Sequence, residues 1–192
     1  MIFDGEAVMR TQIILAGIGG QGILFASKIF SEVGLRLGMN VLGSETHGMS
    51  QRGGSVIAHL KLGDFHSPVI RTGGADFLYS LDLNETYRTL AFLKRGGVCL
   101  VNMSDPDRFD KKILDHLGEK EITFRSFDAV GEACKIGWGR AANIILIGYS
   151  VGSELVAFSR QDVKSVLECV SRKKDVRMNV EAFELGFSHG SR

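Results

Sequence analysis

The sequence predicts an α/β fold: a single domain built on a mostly parallel sheet with helices on both faces, a Rossmann-like three-layer arrangement. Three observations carry this. The apolar run TQIILA at residues 11–16 ends on the glycine cluster GIGGQG at 17–22 and is followed by an amphipathic helical pattern, the order of a parallel βα unit. Apolar runs then keep alternating with segments of helical period along the chain. With 192 residues, 44% hydrophobic and 23% charged, the chain has the size and composition of one globular domain.

Residues 1–10 read as an N-terminal extension, because MIFDGEAVMR precedes the first strand and carries acids where a signal peptide would place basic and then apolar residues. The domain spans 11–192. After the glycine cluster, Ile23, Ala26, Phe30, Val33 and Leu37 recur in steps of three and four, one apolar stripe, and Gly38 supplies the C-terminal stop. A short strand around NVLGS delivers the chain into a second glycine-rich loop, GSETHGMSQRGGS at 43–55, and VIAHLKLG at 56–63 returns as a strand. ADFLYSLD at 75–82 is a buried strand, with Asn84 capping a helix that runs to about Phe92. GVCLVNM at 97–103 and ITFRSFDA at 122–129 are strands as well.

RAANIILIGYSVG at 140–152 is apolar nearly all round, as a central helix should be, and Gly148 and Gly152 lie one turn apart where a neighbour can approach closely. RQDVKSVLECVSRK is amphipathic, and NVEAFELGF gives a last short helix that stops at Gly186. Pro68 and Pro106 fall in turns, and no repeat or linker divides the chain.

A formal net charge of +1 creates no field that would draw nucleic acid or anionic membrane. No stretch approaches the roughly 20 apolar residues that cross a bilayer, and a soluble, cytoplasmic protein is expected. Cys99, Cys134 and Cys169 are each about 35 residues apart, which matches neither a metal-ligand spacing nor a disulfide framework. They are expected to be reduced and mostly buried.

The two glycine loops hold the chemistry. Gly17, Gly19, Gly20, Gln21 and Gly22 stand between a strand and a helix, where a backbone without β-carbons can approach a phosphate and the helix N-terminus favours an anion. Ile23 and Leu24 occupy the places of the Walker A lysine and hydroxyl, so nucleotide hydrolysis is not indicated. Glu45 ends the predicted second strand, where a nicotinamide enzyme keeps its ribose-binding acid, though later in the chain than the usual roughly 20 residues. In the second loop Glu45 and His47 can act as an acid–base pair, and Arg52 can clamp a carboxylate or phosphate. The same loop, with Gln51, Arg52 and Ser55 as polar heads and Gly48, Gly53 and Gly54 admitting a second backbone, equally suits a partner chain. From the residues alone, a stand-alone Rossmann-type nicotinamide-dependent oxidoreductase and a ligand-free interaction module both stay open.

GIGGQGILFASKI, SETHGMSQRGGSVIAHLKLG, ADFLYSLD and MNVEAFELG together resemble the gamma-type domain of 2-oxoacid:ferredoxin oxidoreductases, also described as the pyruvate/ketoisovalerate oxidoreductase catalytic-type domain. The likeness covers most of residues 11–186. Within the family, SETHGMSQRGGS is most similar to the beta subunit of indolepyruvate ferredoxin oxidoreductase.

The resemblance implies a hetero-oligomeric enzyme that decarboxylates a 2-oxoacid, joins the acyl group to coenzyme A and passes two electrons to ferredoxin. Thiamine diphosphate with Mg and iron–sulfur clusters serve that chemistry. The sequence has no Gly-Asp-Gly thiamine motif, and three scattered cysteines cannot build a four-thiolate cluster. Those cofactors are therefore expected on a partner subunit, with no metal and no self-sufficient catalytic residue on this chain. Residues 43–55 would then pack on the partner's thiamine site, and the helix N-terminus at Gly19–Gly22 would meet the coenzyme A pyrophosphate, with Arg52 as a charged clamp.

Overall fold

The computed structural model describes residues 10–48 and 53–192. Six strands form one sheet in the order β2-β3-β1-β4-β5-β6. They are β1 (Thr11–Ile18), β2 (Val41–His47), β3 (Ser55–Leu62), β4 (Ala75–Ser80), β5 (Leu93–Asn102) and β6 (Thr123–Phe127). β1, β4, β5 and β6 run parallel to one another, β2 points the same way, and only β3 is reversed, antiparallel to both β1 and β2. The reversal follows from chain length: residues 48–54 are enough for a hairpin but too few for the crossover that a parallel return would need. β2 is longer than the sequence indicated, so Glu45 lies within the strand and not at its exit.

Alternation along β1 sets the three layers. Ile13 and Leu15 point to one face and Ile14 and Ala16 to the other, each into its own apolar cluster. The first face is covered by α1 (Ile23–Arg36), α4 (Ala129–Lys135), α5 (Ala142–Gly152), α6 (Arg160–Val170) and α7 (Val176–Gly190). The second carries α2 (Leu83–Thr89) and α3 (Lys111–Glu119). Burying roughly thirty large apolar side chains between these layers is the main driving force for the fold.

Helix α1 buries Ile23, Ala26, Ile29, Phe30 and Val33 and ends as its glycine predicts: Gly38 takes φ 75°, and the N–H groups of Leu37 and Gly38 cap the carbonyls of Val33 and Leu35. Leu37, expected in the apolar stripe, is the exposed cap residue. The cap of α2 is Asp82 rather than Asn84, because its carboxylate reaches the N–H groups of Asn84 and Glu85.

α5 is central, packed against α1, α4, α6 and α7. Its closest neighbour is α7, and the contact is backbone on backbone: a β-carbon on Gly148 would overlap the Phe183 carbonyl, and one on Gly186 would overlap the Ile145 carbonyl. Gly186 therefore does not stop the last helix, which continues to Gly190; it lies in the interior of α7 to let α5 approach. Of the cysteines, Cys99 is buried as expected, whereas Cys134 and Cys169 are exposed, on the outer faces of α4 and α6. No helix among the described residues is long and apolar enough to cross a membrane.

Candidate functional site: two glycine loops joined at one sheet edge

β1 feeds the first loop, and the loop closes on itself through one side chain. Gln21 turns back so that its Oε1 accepts the Ile18 N–H at 2.7 Å and its Nε2 donates to the Leu81 carbonyl at 3.3 Å, while its own N–H donates to the Ile18 carbonyl. Gly17 makes room for this turn, since a β-carbon there would lie 2.7 Å from Gln21 Oε1. Gly22 caps α1 in the left-handed region, and its carbonyl accepts the Asn143 side-chain amide at 3.0 Å. Asn143 is itself fixed from the sheet, because the buried Tyr79 hydroxyl donates to its carbonyl. Burial alone pushes the Tyr79 phenol well above its ordinary range, so it stays a neutral donor.

The second loop meets the first. The Gly19 N–H donates to the Gly54 carbonyl at 2.8 Å, and the Gly48 N–H donates to the Ser55 carbonyl at 2.8 Å. Ser55 pairs with Ile18 in the sheet and donates its hydroxyl to Glu85 Oε2 at 2.6 Å. Glu85 is 4% exposed and is also held by Arg88 at 2.8 Å, so α2 anchors the loop through a buried carboxylate. No local motif marks Glu85, since only the reversed β3 brings Ser55 to the start of α2.

Glu45 and His47 are exposed and share one face of the edge strand β2, opposite Ala58 and Val56. Because β3 is inserted between β1 and β2, Glu45 lies two strand spacings, about 10 Å, from β1. That removes it from the ribose position of a dinucleotide site, where the acid-bearing strand is next to the first. Gln51 and Arg52 lie outside the described residues.

A cleft of about 550 Å³ opens beside Gly20 and Gly22. Lys28, Arg140 and Arg172 reach it from α1, from the short turn before α5 and from the segment before α7, with Trp138 in the wall. These three cations are far apart in sequence, and no local motif announces them. The donors needed for a bound metal or cluster are not gathered here. Among the described residues no group of three His, Cys, Asp or Glu is placed to hold a metal ion. Cys99 is the cysteine inside the sheet, and burial pushes its thiol up to about 12, which disfavours the thiolate a metal would need. Among the described residues Cys99, Cys134 and Cys169 are separate free thiols, not a four-thiolate set.

Residues 12–189 match the model of the pyruvate ferredoxin/flavodoxin oxidoreductase family. The chain belongs to that family. Among curated members of this oxidoreductase family, it is 31% identical to indolepyruvate oxidoreductase subunit IorB of Archaeoglobus fulgidus, covering 94% of this chain and 95% of the relative. It is 33% identical to the subunit of the same name in Thermococcus kodakarensis, covering 91% and 93%. In fold it matches the gamma subunit of a keto/oxoacid ferredoxin oxidoreductase from Geobacter sulfurreducens, with a TM-score of 0.71 at 24% identity over 94% of this chain and 98% of that one.

Proposed function

We propose that the chain is the small, thiamine-free subunit of a 2-oxoacid:ferredoxin oxidoreductase, and that its joined glycine loops form one wall of an active site completed by a partner subunit. The complex converts a 2-oxoacid and coenzyme A into acyl-CoA and carbon dioxide and hands two electrons to ferredoxin. An aryl pyruvate such as indolepyruvate is the substrate class, a reading supported by the names of the most similar relatives. Thiamine diphosphate, Mg and the iron–sulfur clusters belong to the partner subunit, and the assembly is a cytoplasmic hetero-oligomer.

The observation that carries this reading is the Gly19–Gly54 hydrogen bond. It joins two loops of low side-chain bulk into one ledge, flanked by the exposed Glu45 and His47, which suits docking against another backbone. In the same reading Gly17, Gly19, Gly20, Gln21 and Gly22 shape the rim of the cleft, and Lys28, Arg140 and Arg172 meet coenzyme A phosphates there. Arg52, with Gln51, Gly53 and Ser55, contributes from the second loop.

Reconstitution tests it. The purified chain alone should reduce no ferredoxin with a 2-oxoacid and coenzyme A, whereas mixing it with the thiamine-bearing subunit should give coenzyme A-dependent reduction. Arg52→Ala should raise KM for coenzyme A or the 2-oxoacid about tenfold, the loss of one charged contact. Unchanged kinetics would remove Arg52 from the site, and turnover by the isolated chain would overturn the subunit reading.

A further inference from the structure

A second polar cleft lies at the other end of the sheet, where β1, β4 and β5 begin and β3 ends. Strand β1 has eight residues, which puts this cleft about 25 Å from the glycine loops. Its volume is about 550 Å³, and Arg10, Lys61, Phe65, Arg71 and Lys94 contribute its charge and its aromatic wall. The connection 63–74 forms that wall by folding back across the sheet. It is held there by the Ile70 N–H, which donates to His59 Nδ1 at 3.2 Å, and by the Gly73 N–H, which donates to the Ala91 carbonyl at 2.9 Å.

The cleft has more positive charge than its surroundings neutralise. Lys94 pairs with Asp76, and Asp76 also accepts the Gln12 N–H at 2.6 Å, so this carboxylate is fully engaged. Among the described residues no acid pairs with Arg10, Lys61 or Arg71. Lys61 is 8% exposed, yet its ammonium lines the cleft. Burial, and after it the charges of Arg71 and Arg10, lower its pKa below the ordinary lysine value. The stem of Lys61 is buried while its ammonium faces the cleft, and three neighbouring cations there repel one another unless a counter-charge completes the site.

We propose that this cleft is a binding site for a compact phosphate oxyanion, free or as the phosphate group of a small metabolite, held between Arg10, Lys61 and Arg71. Three cationic groups from three separate segments match the several oxygens of a phosphate better than the two of a carboxylate. The aromatic wall argues against a nucleoside. Arg10 lies 4.4 Å and Lys61 5.1 Å from the Phe65 ring centroid, so that ring is engaged by cations and not offered to a base. The site stands on these residues alone and does not depend on the oxidoreductase reading.

Calorimetric titration of the full chain with inorganic phosphate, pyrophosphate and ADP tests the proposal. One saturable site for phosphate and pyrophosphate is expected, weakened about tenfold or more in Arg71→Gln and in Lys61→Met. Arg140→Gln removes a cation from the cleft beside the glycine loops, where coenzyme A phosphates are proposed to bind, and the binding that depends on Arg71 and Lys61 should persist in it. Arg71 is exposed, so Arg71→Gln decides the matter if Lys61→Met fails to fold. Absence of saturable binding, or binding lost in Arg140→Gln but kept in Arg71→Gln, would overturn the site. ADP binding that is more than about tenfold tighter than pyrophosphate and is lost in Arg71→Gln would overturn the compact-oxyanion assignment.

Discussion

The side-chain amide of Asn143, in the first turn of α5, donates to the carbonyl of Gly22 at 3.0 Å. One central helix thereby fixes the residue from which α1 leaves the glycine loop. Gly22 has φ 84°, and a β-carbon there would overlap the same amide.

Gly22→Ala thus meets two penalties, a left-handed backbone and a steric one, and should cost about 2–4 kcal/mol in urea unfolding. Asn143→Ala should cost about 1 kcal/mol by removing one of the two hydrogen bonds that the Gly22 carbonyl accepts, the other coming from the Ala26 N–H. The double variant should lose less than the sum, because truncating Asn143 removes the obstacle to the new methyl. Strictly additive losses would mean that the two residues do not constrain each other.

The α5–α7 contact gives a second test. At Gly186 a methyl meets the Ile145 carbonyl, which is backbone and cannot rotate away, so the two helices must separate. Gly186→Ala should destabilise by about 3 kcal/mol or more. Gly118, an exposed glycine of α3 with open space around it, supplies the contrast: Gly118→Ala should stabilise by about 0.5–1 kcal/mol through helix propensity. Equal effects at the two positions, measured by thermal unfolding, would show that the close approach is not what Gly186 provides.

These glycines also show what the sequence could reveal. The TQIILA run, the first glycine cluster and the Gly38 stop are local signals, each set by residues within one turn or one strand, and the structure keeps all three. Gly148 and Gly152 were legible as a close-approach face because they repeat at helical spacing. Gly186 was misread as a stop because its reason is tertiary, the carbonyl of Ile145 on another helix. Periodicity assigns faces but not strand neighbours. The reversed β3 between β1 and β2, the buried Ser55–Glu85 contact and the trio Lys28, Arg140 and Arg172 were therefore hidden. Cys134 and Cys169 were read by residue type as buried, whereas the amphipathic pattern of their helices places them outside.

His59 gives stability a pH dependence. It is 8% exposed, its Nδ1 accepts the Ile70 N–H, and its ring packs edge-on to Phe92 at 5.2 Å. An accepting Nδ1 has no proton, so this geometry belongs to the neutral ring. Burial, and then the charge of Lys61, lower its pKa from the ordinary 6.5. The unfolded chain takes up a proton as pH falls through 6.5, whereas the folded chain resists until its own lower pKa is reached. The stability tied to His59 is thus fully present above 6.5 and is lost progressively as pH falls from there toward the folded value. The slope cannot exceed about 1.4 kcal/mol per pH unit for one proton. Urea unfolding at about pH 7.5 and about pH 5.5 should show the native chain losing more stability on acidification than His59→Gln, which has no ring to titrate. A variant that loses as much as the native chain would assign the acid sensitivity to other groups and mean that His59 takes up its proton alike in the folded and unfolded chain.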